Sequence, residues 1–289
     1  STLFPYTTLF RSATLTYNGT TTASNIVTGE ILEVLSAQKN AVVDAYTAGD
    51  DITYVISILN TGQAPLTGLT LTDDLGAYTF GAQTLTPLTY ANGSIRYYVN
   101  GVLQPAPTVT AQAPLTVTGL NVPAGGNAML LYEANTNQYA PRTAGARINN
   151  TATISGAGVT NPVTAAEAVT AAERAALTIN KAVSPRVVTE NGALTYTFTI
   201  QNSGNTAVTP ADNATVSDRF NPILSNLAVS LNGTPLTAAT DYTYDQATGQ
   251  FTLTPGRVTV PAATYTQDAA TGAWTTEPGI STLTVTGTL

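Results

Sequence analysis

Apolar and polar residues alternate along most of this 289-residue chain. In DITYVISILN, Ile52, Tyr54, Ile56 and Ile58 fall on one face of an extended backbone; in ALTYTFTIQN, Leu194, Tyr196, Phe198 and Ile200 do the same. A period of two marks strands with one face toward a core. Thr, Val, Tyr and Ile fill these runs, and turn residues close them at Asn60-Thr61-Gly62, Asn100-Gly101, Asn191-Gly192 and Asn232-Gly233. Short strands punctuated in this way predict an all-β chain of tandem Ig-like β-sandwich modules. One stretch departs from the pattern. AAEAVTAAERAAL, Ala165 to Leu177, is rich in helix formers. Its Val-Thr pair and its place between strand-rich blocks favour a linker or a last strand running into the next domain.

The sequence repeats. Lys39 to Gly62 aligns without a gap on Lys181 to Gly204, matching Tyr54 with Tyr196, Asn60 with Asn202 and Gly62 with Gly204. Further on, LTLTDDL (Leu69 to Leu75) matches ATVSDRF (Ala214 to Phe220), Val99-Asn100-Gly101 matches Leu231-Asn232-Gly233, and VPAG at Val122 matches VPAA at Val260. The chain therefore holds two copies of one module of about 140 residues. Ala13-Thr14-Leu15-Thr16 lines up with Ala152-Thr153-Ile154-Ser155, the closing strand of the first copy, and so reads as the remnant of a preceding repeat. The expected organisation is 1–12 an artefact, because TLFPYTTLFRS reads like a translated sequencing adapter. Residues 13–31 are then the closing-strand region of a preceding repeat with a linker, 32–172 the first complete repeat, and 173–289 a second repeat truncated before its last strand.

Composition narrows the chemistry. There is no His and no Cys, so no Ser-His-Asp triad, no Cys-His pair, no zinc site on those ligands and no disulfide framework. Charged residues make up 9% of the chain, against roughly 25% in ordinary soluble domains. A net charge of −7 with only two Lys leaves no basic patch for nucleic acid. No apolar run is long enough for a helical membrane span. No cofactor is implied, and no enzymatic activity.

The two Lys occupy the same position in the two copies. Leu35, Ala37, Lys39 and Ala41 share a strand face, as do Leu177, Ile179, Lys181 and Val183. If the apolar face is the core, each Lys points inward. The same parity groups Leu69, Leu71 and Asp73, then Ala214, Val216 and Asp218, and on the closing strand Ile148, Asn150, Ala152 and Ile154. Lys39, Asp73 and Asn150 are thus expected in one core. An unpaired buried charge costs several kcal/mol. One resolution is a buried Lys39–Asp73 ion pair with Asn150 beside it. The other is an intramolecular isopeptide bond, in which apolar surroundings favour a neutral Lys39 amine and a protonated Asp73. The amine attacks the Asn150 side-chain amide, the acid shuttles protons, and ammonia leaves, with proximity supplying most of the rate. A third outcome is that parity misleads and Lys39 is exposed.

The repeat resembles the bacterial surface-repeat family called domain of unknown function eleven. The matching residues are Lys181-Ala182-Val183-Ser184-Pro185, Tyr196 to Gly204, Val216 to Asp218 and the closing Asn150 to Thr153. The resemblance covers nearly all of residues 13–289. It implies tandem β-sandwich modules on cell-surface or secreted proteins, mostly of Gram-positive bacteria. The Lys/Asp/Asn pattern is similar to the isopeptide-forming repeats of collagen-adhesin-type stalks and pili. Carried over, Lys39 and Asn150 form the bond and Asp73 is the catalytic acid. Departures are Gly76 where the family often has Pro, and Asp74 and Glu133 as competing acids. The second copy lacks a closing Asn, so Lys181 and Asp218 stand as equivalent positions with no bonding partner.

Other constellations are weaker. Asp50-Asp51, Asp73-Asp74, Asp212/Asp218 and Asp241/Asp245 offer hard oxygen ligands, but no calcium-loop spacing accompanies them, and turn acids explain them better. No metal site is expected. Nothing selects a carboxylate pair for glycoside hydrolysis. The sequons at Asn18, Asn92, Asn149, Asn213 and Asn232 carry little weight in a bacterial chain. Trp274, in TGAWTTEPG, could contact a sugar or plug the end of a sandwich. The expected function is structural: stalk or spacer repeats of an extracellular bacterial surface protein, the first stapled by a Lys39–Asn150 bond. Partners are neighbouring repeats of the same chain. The alternative is an adhesive module that binds host glycan or extracellular protein through end loops. Two further alternatives are an accessory repeat of a secreted enzyme and strand exchange between chains through the segment from Ala13.

Overall fold

The computed structural model describes residues 6–289. Of the adapter-like segment, residues 1–5 lie outside the described residues. The chain separates into two compact units: one up to Asn137 with Ile148–Val169, the other Gln138–Arg147 with Thr170–Leu289. Both are built from strands, as the alternation demands.

The first unit opens with β1 (Tyr6–Arg11), β2 (Thr14–Tyr17), β3 (Thr20–Ala23) and β4 (Val27–Leu32). These form two antiparallel pairs, β1 with β4 and β2 with β3. The sandwich follows: β5 (Leu35–Ala41), β6 (Ala45–Tyr46), β7 (Asp51–Asn60), β8 (Leu66–Asp73), β9 (Tyr78–Phe80), β10 (Gln83–Leu85) and β11 (Leu88–Tyr90). Then come β12 (Arg96–Val99), β13 (Val102–Gln104), β14 (Thr108–Gln112), β15 (Leu115–Val122), β16 (Asn127–Thr136), β17 (Arg147–Ser155) and β18 (Val163–Ala171). One sheet runs β13-β12-β16-β7-β5, with β11 also on β16; the other runs β14-β15-β8-β17-β18-β6.

Their inner faces follow the sequence parity. Ile52, Tyr54, Ile56 and Ile58 of β7 and Ala128, Leu130, Tyr132 and Ala134 of β16 are buried on one sheet. Leu69 and Leu71 of β8, Leu115 and Val117 of β15, and Ile148, Ala152 and Ile154 of β17 are buried on the other. Register shifts on β15 after Thr118 return Leu120 and Val122 to the core. The helix-forming residues of Ala165–Leu177 do not make a helix. Through Ala171 they belong to β18, where Ala165, Val169 and Ala171 are buried. Sheet pairing outweighs a propensity of a few tenths of a kcal/mol per residue. Asn150 therefore stands on the penultimate strand of this sandwich, and β18 follows it as a last strand, one of the two readings of Ala165–Leu177.

The second unit holds β19 (Leu177–Ser184), β20 (Ala193–Asn202), a 3-10 turn at Pro210–Asp212, β21 (Ser217–Arg219), β22 (Ser225–Leu231), β23 (Thr234–Pro235) and β24 (Tyr242–Asp245). It continues with β25 (Gln250–Leu253), β26 (Thr264–Gln267), β27 (Trp274–Glu277) and β28 (Gly279–Thr288). Its sheets are β19-β20-β28-β22-β23, β21-β25-β24 and the pair β26-β27. Phe198, Phe220, Phe251, Leu253, Leu283 and Val285 form the centre of its core.

One device recurs in both units. Asn60 and Asn202, each fully buried at the end of β7 or β20, pin a turn to a distant strand. Asn60 Nδ2 donates to the carbonyls of Ala64 (2.9 Å) and Pro123 (3.0 Å), while its Oδ1 accepts from Gly62 N–H. Asn202 Nδ2 donates to Thr206 and Pro261 carbonyls, and its Oδ1 accepts from Gly204 and Ala176 N–H. The Asn-x-Gly signature is thus a core-to-turn anchor and not only a turn former.

Candidate functional site

The site lies between the two sheets of the first unit. Lys39 projects from β5, which pairs with β7 so that Lys39 faces Ile56. Asp73 ends β8, and Asn150 lies on β17, whose Ala152 pairs with Asp73. All three residues are buried: Lys39 is 3% exposed, Asp73 and Asn150 0%. The inward parity read from the sequence is the arrangement observed, and the exposed-lysine alternative is excluded.

Lys39 Nζ donates to Asp73 Oδ2 at 2.7 Å. The same oxygen accepts from the Tyr132 hydroxyl at 2.7 Å, and Asp73 Oδ1 accepts from Leu75 N–H at 3.0 Å. Because the Tyr132 hydroxyl spends its proton on Asp73, it can only accept from Asn150, whose Nδ2 lies 2.9 Å away. A continuous chain of hydrogen bonds therefore joins Lys39 to Asn150 through Asp73 and Tyr132. Asn150 Oδ1 and the Tyr54 hydroxyl are buried without hydrogen-bond partners. The ammonium nitrogen stands 4.9 Å from the Tyr54 ring centre and 5.9 Å from that of Tyr132, and the two rings are stacked.

Burial dominates the electrostatics. It pushes the Lys39 amine below its ordinary value of 10.5, against the pull of Asp73. It pushes the Asp73 carboxyl above 3.8, against Lys39, Tyr132 and the Leu75 N–H. The Tyr132 phenol is also raised well above 10, first by burial and then by the Asp73 charge. Both members of the ion pair are shifted toward their neutral forms, amine and carboxylic acid.

The turn after Asp73 explains the departure at Gly76. Its φ is +72°, and a Cβ there would come within 2.5 Å of Ile148 Cγ2. Proline, locked near −65°, does not fit. Asp74 faces away from the site and caps this turn, its Oδ1 accepting from Gly76 and Thr151 N–H. Glu133 is exposed. Neither competes with Asp73 as the acid at Lys39.

Tyr132 is the member the sequence reading missed. On the inner face of β16 it stands among Ala128, Leu130 and Ala134. It faces Tyr54 across the β16–β7 ladder. The corresponding pair on β28 and β20 is Val285 and Tyr196. The second unit thus has no bridging hydroxyl at this position.

Lys181 and Asp218 meet each other in an ion pair, with side chains 39% and 20% exposed. Lys181 lies on the face the parity gives it, its ammonium over the Tyr196 ring, 4.5 Å from the centre, but its side chain is open to solvent. Trp274 is half-buried. Its backbone N–H donates to Gln138, and its indole Nε1 is buried without a partner. The turn acids behave as such: Asp50 accepts from Thr47 N–H, Asp212 from Thr209, Asp241 from Thr237 and Asp245 from Ala247. Among the described residues no three His, Cys, Asp or Glu side chains cluster as metal ligands. No helix among them is long and apolar enough to cross a membrane.

No protein-family model and no curated protein matches the chain. Among solved structures it is similar to the pilus backbone RrgB from Streptococcus pneumoniae, with 14% identity over 84% of this chain and 55% of that one and a TM-score of 0.33. This chain thus spans about half the length of that protein. It is also similar to BcpA, the major pilin subunit of Bacillus cereus, with 13% identity, 95% and 73% coverage and a TM-score of 0.35. A third is the 35 kDa C-terminal fragment of the major pilin GBS80 of Streptococcus agalactiae, with 14% identity, 85% and 91% coverage and a TM-score of 0.33. At that level of likeness no property of those proteins transfers to this chain.

Proposed function

We propose that the chain is a pair of structural spacer repeats from an extracellular bacterial surface protein, and that a Lys39–Asn150 isopeptide bond staples the first. The observation that carries this reading is the sealed hydrogen-bonded path from Lys39 through Asp73 and Tyr132 to the Asn150 amide. In an apolar core, Lys39 passes a proton to Asp73 and becomes a nucleophilic amine. Its Nζ attacks Asn150 Cγ, forming the new C–N bond. The second amine proton returns through Asp73 and Tyr132 to Nδ2, the old C–N bond breaks, and ammonia leaves. Starting from an ammonium, a carboxylate and a primary amide, the site ends with a secondary amide, a protonated Asp73 and free ammonia. Every product is neutral, so the step removes a buried ion pair that is costly to hold.

Such a tie joins β5 to β17 and hence one sheet to the other. It suits a cysteine-free module that must persist outside the cell. The partners are neighbouring repeats of the same polypeptide. The adhesive reading has less support, because the indole nitrogen of Trp274 is sequestered and not offered to a ligand.

The test is the intact mass of the full chain beside its Lys39→Ala and Asp73→Ala variants. The expected result is a chain lighter by one ammonia, with a branched Lys39–Asn150 peptide on digestion and the full calculated mass in both variants. A full mass in the unsubstituted chain would leave a buried ion pair and refute the staple.

A further inference from the structure

The two tyrosines of the first-unit site stand side by side but are used unequally. Tyr54 on β7 and Tyr132 on β16 face each other across one ladder. Both are fully buried, with ring centres 5.5 Å apart and planes 24° from parallel. Directly opposed strand positions send both side chains into the same layer of the core. The Tyr132 hydroxyl is occupied: it donates to Asp73 and accepts from Asn150 Nδ2. The Tyr54 hydroxyl is not, and neither is the other end of the same amide, Asn150 Oδ1. Among the described residues, four buried side-chain polar atoms have no partner, and two of them are this donor and this acceptor. The amide also reaches Tyr54: burial raises the phenol above 10, and the Asn150 side chain acts on it in the opposite sense. The phenol keeps its proton, as a donor must. A donor and an acceptor buried together and left unpaired cost the resting fold both desolvation penalties.

We infer that the Tyr54 hydroxyl is the oxyanion donor of the bond-forming step, unmatched beside the resting amide and engaged once Asn150 Cγ becomes tetrahedral. The inference rests on the Lys39–Asn150 bond proposed above. When Lys39 Nζ bonds to Cγ, the carbonyl π pair moves onto Oδ1, which leaves the amide plane and gains negative charge. Tyr54 gives that oxygen a hydrogen bond and keeps its own proton. On collapse the pair returns to re-form the carbonyl and the Cγ–Nδ2 bond breaks. The proton that turns Nδ2 into ammonia arrives through Tyr132. The two hydroxyls thus divide the amide, Tyr132 serving the leaving nitrogen and Tyr54 the oxygen. Asp73 does not take the second part, because Lys39 and Tyr132 occupy its Oδ2 and the Leu75 N–H its Oδ1. Lys39 Nζ stands over the Tyr54 ring, 4.9 Å from its centre, so nucleophile and donor flank the same amide. An interaction made only with the tetrahedral state lowers the barrier, where one made equally with the resting amide would not.

Tyr54→Phe removes one oxygen atom and leaves the stacked ring. The full chain and this variant are made by cell-free synthesis, and intact mass is followed with time. Both are expected to lose one ammonia, the variant about a hundredfold more slowly, the usual effect of deleting one oxyanion donor. A second measurement takes the Lys39→Met chain, which cannot form the bond and fills the space of the lysine stem, with and without Tyr54→Phe. Its urea midpoint, read by hydrogen exchange of the β7 and β16 amides, is expected to stay or rise, since the hydroxyl has no partner there to lose. Equal rates of ammonia loss in the full chain and Tyr54→Phe would overturn the role of Tyr54 and leave the staple standing. A slower reaction accompanied by a lowered midpoint would make the hydroxyl a structural group and equally overturn it. No ammonia loss from the unsubstituted chain would refute the staple itself, and the oxyanion role with it.

Discussion

Replacing Asn150 by Ala separates the two accounts of the site by magnitude. Without a covalent bond, Asn150 contributes one hydrogen bond, from its Nδ2 to Tyr132. Its Oδ1 is buried and unpaired, so deleting it relieves a desolvation cost. Lys39 and Asp73 keep each other in either case. The expected loss is then about 1 kcal/mol, the usual net value of one hydrogen bond. With the bond, the loop closed between Lys39 and Asn150 encloses about 110 residues, and the chain-entropy relation for crosslinks assigns it about 4.7 kcal/mol. The variant should then lose about 5–6 kcal/mol when both effects are taken together. The assay is equilibrium unfolding in urea, read by pulse-labelling hydrogen exchange of the β7 and β16 amides. Trp274, the single tryptophan, belongs to the second unit, so its fluorescence is an internal control that should not move. A loss near 1 kcal/mol at β7 with an unchanged Trp274 transition would refute the staple on energetic grounds alone.

Three other outcomes follow from the same geometry. Tyr132→Phe keeps the ring packed on Tyr54 but removes the hydroxyl linking Asp73 to the Asn150 amide; a time course of intact mass should show slower ammonia loss with the fold unchanged. Asn202→Ala removes four hydrogen bonds around the second-unit anchor and should lower stability by about 2–4 kcal/mol at roughly 1 kcal/mol per bond, visible as a lower urea midpoint of Trp274 fluorescence. In the Asn150→Ala chain Lys39 remains an amine, lowered by burial beneath 10.5; between that lowered value and 10.5 the unfolded chain binds more protons, so stability should rise with pH. Asp73, raised above 3.8 by burial, has the opposite sign: stability should fall as pH climbs from 3.8 through its folded value. A bonded Lys39 cannot titrate, so urea midpoints of the unsubstituted chain should lack the alkaline rise.

Much of this was legible because strand parity is strict. Lys39, Asp73 and Asn150 each share a face with aliphatic neighbours, and a one-residue error would have turned all of them outward. Tyr132 escaped because tyrosine suits an inner strand face for packing alone, and alternation does not say where its hydroxyl ends. The one available signal was Val285 at the matching position, where the two copies differ although both keep the Lys and the Asp. β18 was ambiguous because Ala and Glu favour a helix locally, while the neighbouring sheet edge that recruits them is remote in sequence. Lys181 lies on the expected face yet is open, because parity gives the direction of a side chain and not whether a facing strand covers it. Asn60 and Asn202 were visible as repeated turn residues, but their reach to Pro123 and Pro261 depends on contacts some 60 positions away.

Lys39 lies near the start of its sandwich and Asn150 near its finish, on opposite sheets. Pulled by its two ends, a module tied there would carry tension from β5 straight across to β17, and the strands between would bear none. About 110 residues, or ~370 Å of extended chain, could never be paid out as slack. The hydrogen bonds of β7, β8, β15 and β16 would then resist heat and protease but not stretching. The length of the unit under load would be fixed by one amide bond.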